Sequence, residues 1–338
     1  MSGRFIDILS LYRLHTALVT AAVPGIASYI AGGSPVLVVS VVIGSVLHHA
    51  WGFSLNEIID YRVDRTNPDL AHKPLVSGRL SKNTAWLLSF GALAFSIAFF
   101  TVGALMGGGS PLVALILLLA ATLVGWVYDL YGKKFPLSDV FVALWMFFLV
   151  LAGAGSVSGW GPYPLAVWAA ASLGALHILF NNSVEGGLKD VENDRKAGAR
   201  TLAVVTRVRM RRGTLRVPRN FMMWGLLLRA LFVIGASVFV LYIAEGTDLG
   251  MWILVTVPLI GLLLAAHSLT FLGRKVKADR RRLIKTFAVH EIVSFGLSML
   301  VILPAAGPVP AGLAFTAPLA WVILFNRVIF GTRLAPKV

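Results

Sequence analysis

Three polar residues recur at steps of four where a long apolar stretch ends: Asn56, Asp60 and Asp64. Asp190 and Asp194 repeat that step further along, with Glu185 and Lys189 just ahead of them. Residues four apart share a helix face, their Cβ atoms about 5–6 Å from each other. Each group therefore forms a polar stripe, and its carboxylates repel unless something positive lies between them. Hard oxygen donors at this spacing suit Mg2+, which takes one or two carboxylates and completes its octahedron with water and substrate phosphates. Cations stand beside both groups: Arg62, Arg65, Lys73 and Arg79 around the first, Lys189, Arg195, Lys196 and Arg200 around the second. Lys133 and Lys134 add a third positive point. A carboxylate-held metal with Arg and Lys is the combination that binds and stabilises a diphosphate.

The two groups read as copies of one another. DYRVDR at Asp60–Arg65 and DVENDR at Asp190–Arg195 share D-x-x-x-D-R, with four apolar stretches between them. A repeat about an axis along the membrane normal would place both on one side, facing a common cavity. A single such pair is more often only a solvated helix end. Two copies, each ending an apolar stretch and each flanked by cations, point to chemistry.

The elements that must position these residues are membrane spans. The chain has 338 residues, 57% of them hydrophobic and 13% charged, with 30 Lys and Arg against 15 Asp and Glu. Its mean hydropathy of +0.82 is that of a polytopic membrane protein. Intrinsic disorder is excluded by the apolar content. A nucleic-acid partner is not expected, because such binders carry a basic patch on a water-soluble fold. The absence of cysteine excludes disulfides, thiolate metal sites and Cys nucleophiles.

A bilayer core of about 30 Å takes about 20 apolar residues per helix. Ten stretches qualify: 14–32, 36–56, 84–107, 110–128, 139–157, 164–184, 221–243, 249–272, 286–304 and 309–329. The start MSGRFIDILSLYRLH precedes a full-length span and is not expected to be a cleaved signal peptide. Alternating connections then sort the charge. The turns AGGSP, MGGGSP, SGWGPYP, AEGTDLG and PAAGPVP hold no Lys or Arg, so all 30 fall on the other side. The positive-inside rule makes that side cytoplasmic, together with both termini and both Asp groups.

With the residues in view, the chain resembles the UbiA-type superfamily of intramembrane prenyltransferases. N56-x-x-x-D60-x-x-x-D64 is similar to that family's first Asp-rich motif, and K73-P-L-V-S-G78 to its R-P-[IL]-x-S-G tail. D190-x-x-x-D194-x-x-x-G198 with T201-L202 is similar to the second, and Tyr128 with Lys133 to the Tyr and Lys of a third polar loop. The match runs over roughly residues 5–300. Departures are Glu57 where many members have Asp, Lys73 where many have Arg, and the basic stretch Arg207–Arg219; ten spans rather than nine also exceed the family's usual count.

The resemblance implies an all-α, polytopic membrane bundle of nine to ten transmembrane helices. It forms one domain over 1–338, with motif segments at 54–83 and 181–205 and an extra C-terminal span near 309–329. Its central cavity opens to the cytoplasm and laterally to lipid. The implied reaction moves an isoprenyl group from a polyprenyl diphosphate to a lipophilic acceptor and releases diphosphate. Two Mg2+ ions would be held by Asn56, Asp60, Asp64, Asp190 and Asp194. Arg65, Lys73, Tyr128, Lys133, Lys189 and Arg195 would bind the diphosphate, and apolar helices would keep water from the allylic cation. The acceptor reads first as an aromatic or quinone precursor, then as a glycerol-phosphate ether lipid.

Four residues near the first span pair, Arg13, His15, His48 and His49, are candidates for the acceptor pocket, though interfacial anchoring is the commoner explanation for Arg13 and His15, and ordinary bundle hydrogen bonds for His48 and His49. Glu291, beside His290 in the ninth span, reads as a functional carboxylate or a local hydrogen-bond partner. The Arg207–Arg219 stretch either meets anionic lipid or diphosphate, or only sets orientation. From other classes, a transporter of an anionic solute would place its polar site near the bilayer midplane, and a non-catalytic lipid-binding scaffold would be free to lose the paired Asp motifs.

Overall fold

The computed structural model describes residues 3–65, 70–211, 213–277 and 280–331. Residues 66–69 of the first motif segment, Arg212 of the basic stretch and the tail from 332 lie outside the described residues.

The spans form helices because each is a long run of Leu, Val, Ala and Phe whose backbone polar groups must be satisfied internally. In chain order the larger helices are α1 (Gly3–Leu11), α2 (Leu14–Ile30), α3 (Pro35–Asp64), α4 (Lys82–Met106), α5 (Pro111–Tyr131), α6 (Asp139–Ser158) and α7 (Leu165–Phe180). They continue with α8 (Gly187–Lys196), the one-turn α9 (Leu202–Val205), α10 (Arg219–Ile243), α11 (Gly250–Leu272), α12 (Arg280–Ala306) and α13 (Pro308–Phe325). Among the described residues nine helical segments are long and apolar enough to cross a membrane, and ten if α1 and α2 make one span. The chain is thus a multi-pass helical membrane protein.

Three details depart from the expected spans. Ahead of the first, α1 and α2 meet at an angle of 41°, with Arg13 between them at φ 45°, in the left-handed region. The second runs past residue 56, because α3 is 30 residues long and carries Asn56, Asp60 and Asp64 on its own last turns. The sixth passes through a π-helical segment, Asn181–Gly186, before α8 delivers Asp190 and Asp194. Such wide turns inside a helix often mark functional positions.

The basic stretch is not a plain loop. Arg209–Arg211 (β1), Thr214–Arg216 (β2) and Lys275–Lys277 (β3) form a three-stranded antiparallel sheet in the order β1-β2-β3. Its register stacks Met210, Leu215 and Val276 in one row. Leu215 is fully buried in a core with Val208, Phe221, Phe271 and Leu283.

The chain gathers into two compact units, each discontinuous in sequence. The first comprises residues 1–130, 148–163 and 312–338; the second comprises 131–147 and 164–311. In the first, α3 packs on α2 and α4. Close approach is bought there by small residues, since a Cβ at Gly153 would meet the Pro24 carbonyl oxygen at 2.4 Å. In the second, α7, α10, α11 and α12 pack together.

Candidate active site

The first unit positions the first motif through a tight turn. α3 ends at Asp64, and α4 begins at Lys82 behind Ser81, whose Oγ accepts from the Thr84 amide at 3.1 Å. Between them the segment from Lys73 to Leu80 folds back on itself. Leu75 and Leu80 bury against Leu11, Ile58 and Ala85. Gly78 takes φ 76°, which a residue without Cβ adopts freely. Arg79 donates from Nε to Asp7 Oδ1 at 2.8 Å and so ties the turn to α1. The result is that Lys73 Nζ reaches Asp64 Oδ2 at 2.7 Å, with Asp64 almost wholly buried. A charge-assisted contact of this length in so protected a place is strong. Asp60 has interactions of its own on the same helix face.

Asn56 donates from Nδ2 to Asp129 Oδ1 at 3.3 Å. Asp129 ends α5, next to Tyr128, and feels the Asp60 charge. The first motif thus has a further carboxylate that its spacing alone does not reveal. The buried Glu57 lies within reach of the Lys73 charge. Arg65 places its guanidinium 5.6 Å from the Tyr61 ring centroid, and Lys82 sits over the same ring at 3.9 Å.

The second unit builds the second motif on α8. The helix stops at Gly198, φ 70°, where the Ala199 amide donates to the Asp194 carbonyl at 2.9 Å. Thr201 Oγ1 donates to Asp194 Oδ2 at 3.3 Å. The Arg200 amide donates to the Lys133 carbonyl at 2.8 Å, which joins the third polar loop to this motif. Asp139, at the start of α6, feels the Asp194 charge, as Asp129 feels that of Asp60. Lys189 Nζ lies 3.6 Å from Asp190 Oδ2. Arg195 has structural work beside its expected one: Nη1 donates to Glu192 Oε1 at 2.8 Å and Nη2 to the Val208 carbonyl. Glu192 accepts from the Met210 amide at 3.0 Å, so the pair pins β1 to α8.

The acceptor-pocket candidates receive mostly structural explanations. His49 uses both ring nitrogens, Nδ1 with Thr20 Oγ1 at 2.9 Å and Nε2 with the Arg13 carbonyl at 3.3 Å. His48 Nε2 meets Thr122 Oγ1 at 3.1 Å and ties α3 to α5. Arg13 stacks over Phe53 at 4.7 Å. His15 differs: its Nδ1 is buried without a hydrogen-bond partner among the described residues, and its ring faces Phe325 and Phe330.

A second buried polar cluster was visible in sequence only as Glu291 and His290. Asn181 donates from Nδ2 to Glu291 Oε1 at 2.9 Å. Glu185, from the π-helical turn, lies 2.5 Å from His290 Nδ1, and His290 Nε2 meets Ser268 Oγ at 2.9 Å. Arg229 is fully buried 4.0 Å over the Phe180 ring and donates to Ser294 Oγ at 3.3 Å. The local hydrogen bond is therefore the reading that fits Glu291.

Metal binding can be tested on the donor set. Among the described residues no three Asp, Glu or His side chains close on one point as a ready-made cage. Mg2+ needs none, since one or two carboxylates suffice and water and phosphate oxygens complete the shell. Asn56, Asp60 and Asp64, and Asp190 with Asp194, fit that requirement.

A bundle of membrane helices carrying two carboxylate motifs, each beside lysine and arginine, is the form of an intramembrane prenyltransferase. Residues 17–290 match the UbiA prenyltransferase family, and the chain belongs to that family. It is 31% identical over 204 residues to a digeranylgeranylglyceryl phosphate synthase of Halobacterium salinarum, covering 59% of this chain and 68% of that protein. It is 30% identical over 174 residues to the chloroplastic 2-acylphloroglucinol 4-prenyltransferase of Humulus lupulus, covering 48% of this chain and 39% of that protein. In fold it is similar to a UbiA homologue from Archaeoglobus fulgidus bound to GPP and Mg2+, with TM-score 0.62, 22% identity, and 88% and 99% of the two chains covered. A structure concerning digeranylgeranylglyceryl phosphate synthase aligns with TM-score 0.64 and 19% identity, over 91% of this chain and 100% of that one. The chain is accordingly a membrane prenyltransferase.

Proposed function

We propose that the protein transfers an isoprenyl group from its diphosphate to the free hydroxyl of an isoprenoid glyceryl phosphate, forming an ether and releasing diphosphate. The observation that carries the diphosphate half is the pairing of each carboxylate motif with its own lysine: Lys73 with Asp64, and Lys189 with Asp190. Those carboxylates, with Asn56, would hold Mg2+, which when bound would neutralise charge developing on the leaving diphosphate. Lys73, Lys133 and Lys189 donate to diphosphate oxygens, and Tyr128 adds a neutral donor. The C–O bond to the diphosphate breaks, the acceptor oxygen attacks the allylic carbon, and the hydroxyl proton leaves. Apolar helices keep water from competing.

The acceptor rests on the archaeal relative, whose name specifies a digeranylgeranylglyceryl phosphate product. The aromatic acceptor expected first from the sequence is the second reading, supported by the relative that prenylates an acylphloroglucinol. The test offers the purified protein geranylgeranyl diphosphate and Mg2+ with either geranylgeranylglyceryl phosphate or a panel of hydroxybenzoates and acylphloroglucinols. Products are read by mass spectrometry. An ether product from the glyceryl phosphate alone is expected. Carbon-prenylated aromatic product with no ether would transfer the assignment to the second reading.

A further inference from the structure

The outward face of the small sheet is electrostatically unfavourable by itself. Its register sets Arg209, Arg216 and Lys275 side by side, and Arg211 beside Thr214 and Lys277. Like charges directly opposite one another on neighbouring strands destabilise a sheet. All five cations are exposed, and among the described residues no carboxylate pairs with any of them. Arg207, Arg219 and Arg274 are exposed close by in sequence. The apolar row beneath anchors the sheet in the core, so the charged face is held in place rather than left to spread.

Beside this face lies a cavity of about 130 Å3, where α11 ends and α12 begins. Lys277 and Arg282 supply two cations to it, Thr270 and Thr286 two hydroxyls, His267 an imidazole, and Phe271 an apolar surface. Among the described residues no carboxylate lines it, which sets it apart in chemistry from the two Asp motifs. Lys277 belongs to both the sheet and the cavity, so the two are one continuous positive surface. Within a turn of the cavity on the same two helices, Leu269 and Val289 are more than half exposed, at 52% and 55%. Cations and hydroxyls at the mouth, with exposed aliphatic side chains along the adjoining spans, match a phosphate headgroup with its acyl chains. Basic pockets between membrane helices bind acidic lipid headgroups in this way.

We infer that the cavity and the adjoining sheet form a binding site for an anionic phospholipid of the bilayer, separate from the diphosphate site. Lys277 and Arg282 hold the phosphate, Thr270 and Thr286 donate to its oxygens, and the sheet attracts further acidic headgroups to the same place.

The experiment places the full-length protein in nanodiscs of phosphatidylcholine containing a minor share of phosphatidylglycerol, and counts co-purified lipid by native mass spectrometry. The wild type should carry phosphatidylglycerol enriched about thirtyfold over the bulk ratio, in keeping with two cations at the membrane surface. Lys277→Gln/Arg282→Gln should lose the greater part of the enrichment, keeping only what the remaining sheet cations attract, while diphosphate release persists, which reports an intact fold. Arg4→Gln/Lys82→Gln removes the same charge elsewhere and should keep the enrichment. If the double variant fails to fold, Lys277→Gln alone replaces an exposed strand residue and should lose most of the enrichment. No enrichment in the wild type, or equal loss in the Arg4/Lys82 control, overturns the site. Displacement by inorganic phosphate at the same concentration would make it a free-phosphate site and overturn the lipid assignment.

Discussion

Asp129 shows what a single residue adds to a motif. Asn56, Asp60 and Asp64 announce themselves by their step of four. Asp129 does not, because it stands alone at the end of an apolar helix and meets Asn56 only through folding, at 3.3 Å. Its role follows from that contact: it orients the Asn56 amide, so that the amide oxygen is presented away from it. Partners that orient metal ligands are worth about 10–100-fold in metal affinity. Asp129→Ala should therefore raise the Mg2+ concentration for half-maximal prenyl transfer about tenfold, measured by titration, with the rate at saturating Mg2+ nearly kept. An unchanged Mg2+ requirement would remove Asp129 from the site. The motif aspartates and Lys73 were legible because charge at the end of an apolar run is conspicuous. His48 and His49, acceptor-pocket candidates from the sequence, have ring nitrogens that meet Thr122, Thr20 and the Arg13 carbonyl.

At the scale of elements, α3 runs on to Asp64 and the sixth span on to Lys196, but most spans were legible to within a few residues, since hydrocarbon thickness dictates their length. Breaks within them were not. The bend before α2 and the π-helical turn at Asn181–Gly186 leave no mark on apolar content. Strands as short as RMR, TLR and KVK offer too little alternation to be told from a basic loop. The π-helical turn has an energetic consequence, because it brings Glu185 into the apolar interior beside His290, in a region that also buries Arg229. If Glu185 and Arg229 carry opposite charges there, removing one leaves the other uncompensated, at a cost of about 3–5 kcal/mol. Arg229→Met should thus lower the thermal stability of the detergent-solubilised protein clearly. Glu185→Gln/Arg229→Met should recover much of the loss. If the double variant is as unstable as the sum of the two singles, the charges are not coupled.

For the whole molecule, the sequence pattern that bears on orientation is the sorting of charge: the turns AGGSP, MGGGSP, SGWGPYP, AEGTDLG and PAAGPVP hold no Lys or Arg. The fold and family bear out the helical bundle and the prenyltransferase class; the acceptor was less legible, because a lipid pocket is made of Leu, Val and Phe that serve equally as packing. Sidedness is open to direct test, since the chain has no cysteine. A single cysteine at Glu245→Cys, in a turn without basic residues, should react with a membrane-impermeant maleimide on intact cells. Asn83→Cys, beside the first motif, should react only after permeabilisation. The opposite pattern would invert the orientation.

The central claim is that both carboxylate motifs are required for prenyl transfer from a Mg2+-bound diphosphate. Its most direct measurement is Mg2+-dependent release of diphosphate from a radiolabelled isoprenyl diphosphate in the presence of acceptor, by the wild type, Asp60→Asn and Asp190→Asn. Loss of a group that stabilises developing charge typically costs about 10²–10³ in rate. Release should cease on chelation with EDTA and fall at least about a hundredfold in each variant. Full activity in either variant, or full activity in EDTA, would contradict the account.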